Sequence, residues 1–171
     1  MAITNTDARG NTVLLMRERL VLRDAFGKFK ELLGQRGDVR IHPEMMKVLA
    51  HGWDILRMDK EPPLAFYQKT LLGQSNNIIN QGTQFVRHDD GSTIVTDKDR
   101  ACLRAMYATM LSVLCRDHIE VPFAFQATLA EAWDIVRNTD DPPLPYEQKG
   151  RIVLPFGETL TPVVQASKGF R

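Results

Sequence analysis

Two short stretches bring together the residue types that ion-pair and acid-base chemistry use. In "WDILRMDKEPPLAFYQK", Trp53 to Lys69, and "WDIVRNTDDPPLPYEQK", Trp133 to Lys149, an aspartate stands three residues before an arginine, and acidic residues precede a proline pair. As chemistry, Asp54 with Arg57 and Asp134 with Arg137 would each be a carboxylate held by a cation. Asp140-Asp141 would be a carboxyl pair suited to general acid-base work. As structure, residues three apart on a helix are surface neighbours that contribute only about 0.2–0.5 kcal/mol. Two aspartates directly before Pro142-Pro143 cap a turn.

The repetition decides between these. From Leu49 to Lys69, 11 of 21 positions are identical to those 80 residues later, where ordinary composition gives about one or two by chance. Duplicated packing corners are far commoner than duplicated catalytic sites. Trp53, Pro62, Pro63, Trp133, Pro142 and Pro143 are therefore expected to be structural anchors, each indole stacked on a proline corner that sets the angle between successive helices. Function is then sought where the two copies differ.

Other chemistry has little support. His42, His51, His88 and His118 are scattered, and no Cys-x-x-Cys spacing occurs, so no metal site is expected. Cys102 and Cys115 fall in one expected helix, separated by about 20 Å along its axis, beyond disulfide reach. The sequence contains no glycine-rich phosphate loop, no Gly-x-Ser-x-Gly elbow and no His-Glu-x-x-His. The expectation is a protein with no cofactor and no catalytic residue.

The chain has 171 residues, 43% of them hydrophobic and 25% charged, with a formal charge of +1. That is enough apolar material for an ordinary core. A near-neutral balance gives no global attraction to nucleic acid or an acidic membrane, so such a partner would have to meet one face. No apolar run approaches the length of a membrane span and the amino terminus has no signal-peptide core, so the expectation is a cytoplasmic protein without a membrane partner.

The elements that would position these residues follow from periodicity. A first helix is expected from Asn11 or Thr12 to about Leu33, with Leu15, Leu22, Phe26, Phe29 and Leu33 inward, widened by Leu14, Val21 and Leu32. Another of its faces carries Arg19, Arg23 and Lys30, the cleanest one-sign stripe in the chain. A second helix starts at Pro43, a favoured first-turn residue, and turns Met45, Val48, Leu49, Gly52, Ile55 and Leu56 inward. It must stop by Glu61, because Pro62-Pro63 cannot continue it. A third helix is expected over "LAFYQKTLLGQSNNIINQ", then a hairpin around Asp90-Gly91. Helices follow from Thr96 or Asp97, with Leu103, Met106, Tyr107, Met110 and Leu114 inward, and from about Val121 to Asn138. A last hairpin surrounds Phe156-Gly157.

The fold class is thus mainly α with two short β-hairpins (α+β): a tandem duplication of a helix-helix-Pro-Pro-hairpin unit in one pseudo-twofold body. The expected boundaries are a flexible terminus over 1–10, a first repeat over 11–96, a second over 97–165 with its third helix shortened, and a tail over 166–171.

The segment Gln74 to Arg100, "QSNNIINQGTQFVRHDDGSTIVTDKDR", resembles the recognition helix, wing and following helix of MarR-type regulators. That resemblance implies a winged-helix regulator in which Gln74, Asn76, Asn77 and Asn80 read base edges while Arg87 and His88 of the wing lie near phosphate. Asp89 and Asp90 at the wing tip would repel phosphate, and the second copy lacks the third helix. The favoured expectation is therefore a non-catalytic adaptor, accessory or regulatory protein that binds another protein, with DNA binding through residues 64–96 as the alternative. The Arg19, Arg23, Lys30 stripe could meet an acidic protein partner or phosphate. Surplus apolar surface is compatible with a homodimer.

Overall fold

A computed structural model describes residues 12–37, 39–58, 60–64, 66–67, 71–72 and 91–144. They are mainly helical. The order is β1 (Val13–Leu14), α1 (Met16–Arg36), α2 (Pro43–Leu56), β2 (Phe66–Tyr67), β3 (Leu71–Leu72), β4 (Thr93–Ile94), α3 (Asp97–Arg116) and α4 (Phe123–Val136). β1 pairs antiparallel with β4 (Val13 opposite Ile94, Leu14 opposite Thr93), and β2 pairs antiparallel with β3 (Phe66 opposite Leu72, Tyr67 opposite Leu71). No described helix is long and apolar enough to cross a membrane.

Local chemistry accounts for most helix ends. At the start of α1 the Glu18 carboxylate accepts the Leu15 backbone N–H at 2.8 Å. Gly37 closes the helix in the left-handed region (φ 72°), its N–H reaching the Leu33 carbonyl at 2.9 Å. In α2 Pro43 occupies the first turn and His42 Nδ1 accepts from the Glu44 N–H. Thr96 and Asp99 cap α3 reciprocally: Thr96 Oγ1 accepts from the Asp99 N–H at 3.1 Å and Asp99 Oδ2 from the Thr96 N–H at 3.0 Å.

The helices pack crosswise, with α2 against α3 and α1 against α4, and α3 also against α4. One apolar core results, containing Phe26, Phe29, Leu49, Ile55, Tyr107 and Trp133 among its largest members. Phe26 lies against Phe29 (ring centroids 6.2 Å apart) and against Trp53 (5.6 Å). Tyr107 is fully buried and its hydroxyl donates to the Leu22 carbonyl, a helix-to-helix hydrogen bond inside the core. Burial alone pushes that phenol well above its ordinary pKa. On α2, Leu49, Gly52, Ile55 and Leu56 are buried as periodicity required. Met46 joins them, whereas Met45 and Val48 are only partly covered. The five inward positions expected of α3 are all buried.

Several expectations are corrected. The first helix starts at Met16, because Leu14 is a buried strand residue paired with β4. It continues past Leu33 to Arg36, since Gly34 stays helical and Gly37 makes the stop. The third helix does not begin after the proline pair: Phe66–Tyr67 and Leu71–Leu72 are paired strands, consistent with the β preference of aromatic residues beside extended Pro-Pro backbone. Within the hairpin expected around Asp90-Gly91, the described strand β4 finds its partner in β1, which brings the chain ahead of α1 to the chain ahead of α3. The rest of the third helix, the other strand of that hairpin and the hairpin around Phe156-Gly157 lie outside the described residues.

Close approach of α2 to α3 depends on Gly52, where an added Cβ would overlap the Met106 side chain. Gly52→Ala is expected to lower stability by about 1–3 kcal/mol, overpacking outweighing the helix-propensity gain of about 1 kcal/mol. A denaturant midpoint equal to or above that of the wild type would contradict this packing.

Candidate functional site

The end of α2 shows why Trp, Asp and Arg recur at that spacing. The chain leaves the helix at Arg57 in an extended conformation (φ −67°, ψ 154°), which strips the last carbonyls of helical partners. Side chains from the preceding turn then fold over the exit. Arg57 Nε donates to Asp54 Oδ1 at 2.9 Å and Arg57 NH1 to the Glu61 carbonyl at 2.6 Å. Glu61 Oε1 accepts the Met58 N–H at 2.6 Å, and the Glu61 N–H donates to the Met58 carbonyl at 3.0 Å. Nine residues after Trp53, the Pro62 carbonyl accepts the indole N–H at 3.1 Å. The tryptophan thus anchors the corner by a hydrogen bond to the first proline's carbonyl, where stacking was expected.

The end of α4 carries the same set. Arg137 exits at φ −67°, ψ 153°; its Nε reaches Asp134 Oδ1 at 2.7 Å and its NH1 the Asp141 carbonyl at 2.6 Å. Asp141 Oδ2 accepts the Asn138 N–H at 2.9 Å, and Trp133 donates to the Pro142 carbonyl at 2.9 Å. Asp141 therefore caps a turn, as its place before the prolines suggested.

Each corner is gripped from outside by a second arginine. Arg23 of α1 binds Glu61 with both terminal nitrogens (2.5 and 3.0 Å), and its guanidinium lies 5.4 Å from the Trp53 ring centre. Arg104 of α3 binds Asp141 through Nε and NH2 (2.6 and 2.9 Å), 5.6 Å from the Trp133 ring centre. Sequence reasoning missed Arg104 and the pairing of Arg23 with Glu61 and of Arg104 with Asp141, although it read Asp141 as a turn cap. A signal existed, because Arg23 and Arg104 are 81 residues apart, one register from the 80-residue repeat. The arginine hydrogen bonds hold the Glu61 and Asp141 carboxyls below their ordinary range, desolvation partly opposing.

Burial changes the reading of three cations. Asp54 is 1% exposed and Arg57 4%, so this pair is interior and not a surface neighbourhood; Asp134 is 47% exposed. Arg19 is fully buried, so the Arg19, Arg23, Lys30 stripe is not a solvated face. Its guanidinium donates to the carbonyls of Gly91 (2.7 Å), Leu56 (3.0 Å) and Arg57 (3.3 Å), and Arg23 adds a 3.2 Å bond to Leu56. Two cations thus cap the negative end of α2. Lys30 sits 5.1 Å from the Trp53 ring centre and 5.3 Å from that of Phe26. Burial lowers its pKa; nearby Glu61 opposes the shift and Arg23 reinforces it.

Gln74, Asn76, Asn77, Asn80, Arg87 and His88 lie outside the described residues. Pro62, Pro63, Pro142 and Pro143 stand at the corners they were expected to set. Elsewhere, His51 Nε2 lies 3.6 Å from Asp99 Oδ1. Burial, with Asp99 and Asp54 adding to it, pushes the Cys102 thiol up to about 12, so the neutral thiol persists at physiological pH. Among the described residues no three His, Cys, Asp or Glu side chains form a metal-binding group.

Asp54→Ala would remove the carboxylate that faces the buried Arg57 guanidinium, and is expected to cost about 3–5 kcal/mol. Asp134→Ala, at the more exposed corner, is expected to cost under about 1 kcal/mol. Equal losses in denaturant titrations would contradict the asymmetry. Because the folded pKa values of Glu61 and Asp141 lie below the unfolded ones, their contribution is present above the ordinary carboxylate range and is lost as pH falls through the folded values. Glu61→Gln and Asp141→Asn should therefore flatten the acid limb of a stability-pH curve, and an unchanged limb would refute the linkage.

No family model matches the chain, and no curated protein or solved structure matches it.

Proposed function

We propose that the protein is a small non-catalytic adaptor or regulatory subunit, cytoplasmic, that acts by binding another protein. We also propose that its chain is two tandem copies of a helix-helix-corner unit, residues 11–96 and 97–165, packed about an approximate twofold axis. The duplication is supported by the matched hydrogen bonds of the two corners, the crosswise packing of α1 on α4 and α2 on α3, and the pairing of Val13 with Ile94, 81 residues on.

The observation that carries the functional reading is the difference between the corners. Trp133 is sealed, with 0% exposure, and Leu111 is buried 81 residues after Lys30. Trp53 keeps 9% exposure and lies under both Arg23 and Lys30. A tryptophan that keeps an exposed edge beside cations is a composition enriched at protein interfaces. Phe123, 83% exposed at the start of α4, and half-exposed Leu20 on α1 add apolar area for contact. A second copy of this chain is one such partner.

Nucleic acid is the competing partner. The DNA-binding alternative loses Arg19 to the interior and loses the start of its recognition helix to the β2–β3 pair. Affinity capture from the cells that make the protein, with and without nuclease, separates the two. A discrete protein partner that survives nuclease and moderate salt is the expected result. Capture that depends on nucleic acid and collapses as salt rises would replace this role with the alternative.

A further inference from the structure

We propose that the face of α1 bearing Arg23, Gly27 and Lys30 over Trp53 docks an acidic segment of a partner protein, a carboxylate of that segment sitting between the Arg23 guanidinium and the Lys30 ammonium. This rests on the protein-binding role above and names its surface and the partner's chemistry.

Geometry sets the cradle. Arg23 and Lys30 are seven residues apart, close to two helical turns, so they project on one side of α1 and both converge on the indole of Trp53. Gly27 lies between them, and a Cβ placed there meets nothing within 4 Å among the described residues. A glycine inside a helix costs about 0.5–1 kcal/mol relative to alanine. No described neighbour occupies the space that the missing side chain leaves. Among the described residues the strip between the two cations is shallow at Gly27.

Charge sets the occupant. Both Glu61 oxygens are engaged by Arg23, and Oε1 also by the Met58 N–H. The Lys30 ammonium carries three donors, and no described residue accepts a hydrogen bond from it. Arg19, Arg23, Lys30 and Arg57 gather here with Asp54 and Glu61 as the opposing carboxylates. At the positions 80 or 81 residues on, Arg100, Arg104 and Arg137 accompany Asp134 and Asp141, and Leu111 takes the place of Lys30. Among these residues the first corner carries one more positive charge than the second, and that charge is Lys30.

An acidic protein segment fits this surface better than a nucleic acid. With Arg19 buried, two cations front the strip among the described residues, whereas phosphate backbones are held by several neutralising contacts in a row. Half-exposed Leu20, one turn before Arg23, offers apolar contact that a peptide can use.

The test uses the full chain and a fluorescent hexaglutamate peptide, followed by anisotropy at low and at moderate salt, with a duplex DNA of equal charge as competitor. Wild type is expected to bind hexaglutamate saturably, more weakly at higher salt. Lys30→Glu and Gly27→Leu should each weaken binding at least about tenfold, a change of about 1.4 kcal/mol. Gly27→Leu fills open space and so keeps the protein folded should Lys30→Glu disturb it; melting curves verify both. No binding by wild type at low salt, equal binding by both folded variants, or stronger competition by DNA than by unlabelled hexaglutamate would overturn the proposal. Capture from extract with the same variants keeps the two ideas apart. A protein partner retained by Lys30→Glu and Gly27→Leu would leave the protein-binding role standing and remove this surface, whereas a wild type that captures no protein would remove the role itself.

Discussion

The structure depends on closing two helix ends that the chain leaves abruptly. At Arg57 and at Arg137 the backbone turns extended within one residue, and the carbonyls of the last turn lose their helical donors. Water cannot serve them all, because Leu56 and its surroundings are buried. The solution is a set of side chains drawn from the same helix turn. Aspartate orients arginine, arginine reaches the carbonyl four residues on, and the indole N–H takes the proline carbonyl nine residues on. Proline suits that place because it has no N–H to satisfy and it holds the exit extended.

A corner of this kind fixes the direction of its exit but leaves its own helix pair short of apolar area. The crosswise arrangement supplies that area. Corner helix α2 packs on the long helix α3 and corner helix α4 on the long helix α1, and the long helices reach through Arg23 and Arg104 to clamp the acids of the corners. The hydrogen bond from Tyr107 to the Leu22 carbonyl ties the two long helices to each other inside the core. Cations are thus used as internal fasteners, and their placement over the indoles adds attraction without needing a further carboxylate.

The two corners are alike in their hydrogen bonds and unlike in their cover. Arg19 fills the space behind the first corner and caps α2, whereas Arg100, 81 residues later, is paired with Asp97 near the surface. Lys30 lies on Trp53, whereas Leu111, 81 residues on, is buried. Trp133 is consequently covered completely, whereas Trp53, beneath Arg23 and Lys30, keeps 9% exposure. A scaffold that needs both corners for stability can vary the outer residues of one without loosening its frame.

The sequence by itself determined the local chemistry: helix starts at Pro43 and after Thr96, the inward face of α3 and most of that of α2, and the place of the corners that hold Trp53, Pro62, Trp133 and Pro142. Each of these rests on groups close along the chain, where spacing alone places a side chain beside its partner. Tertiary structure decided the rest. Whether Arg19 is a surface charge or a buried cap depends on Leu56 and Gly91, 37 and 72 residues away. The partner of β4 is the chain before α1, and Phe66–Tyr67 pairs as a strand where periodicity suggested a helix. Arg104 could not be read as the counterpart of Arg23 from the aligned block, because the long helices keep a register one residue from that of the corner helices. In each case the deciding contact joins residues far apart in sequence, where spacing carries no information until the chain has folded.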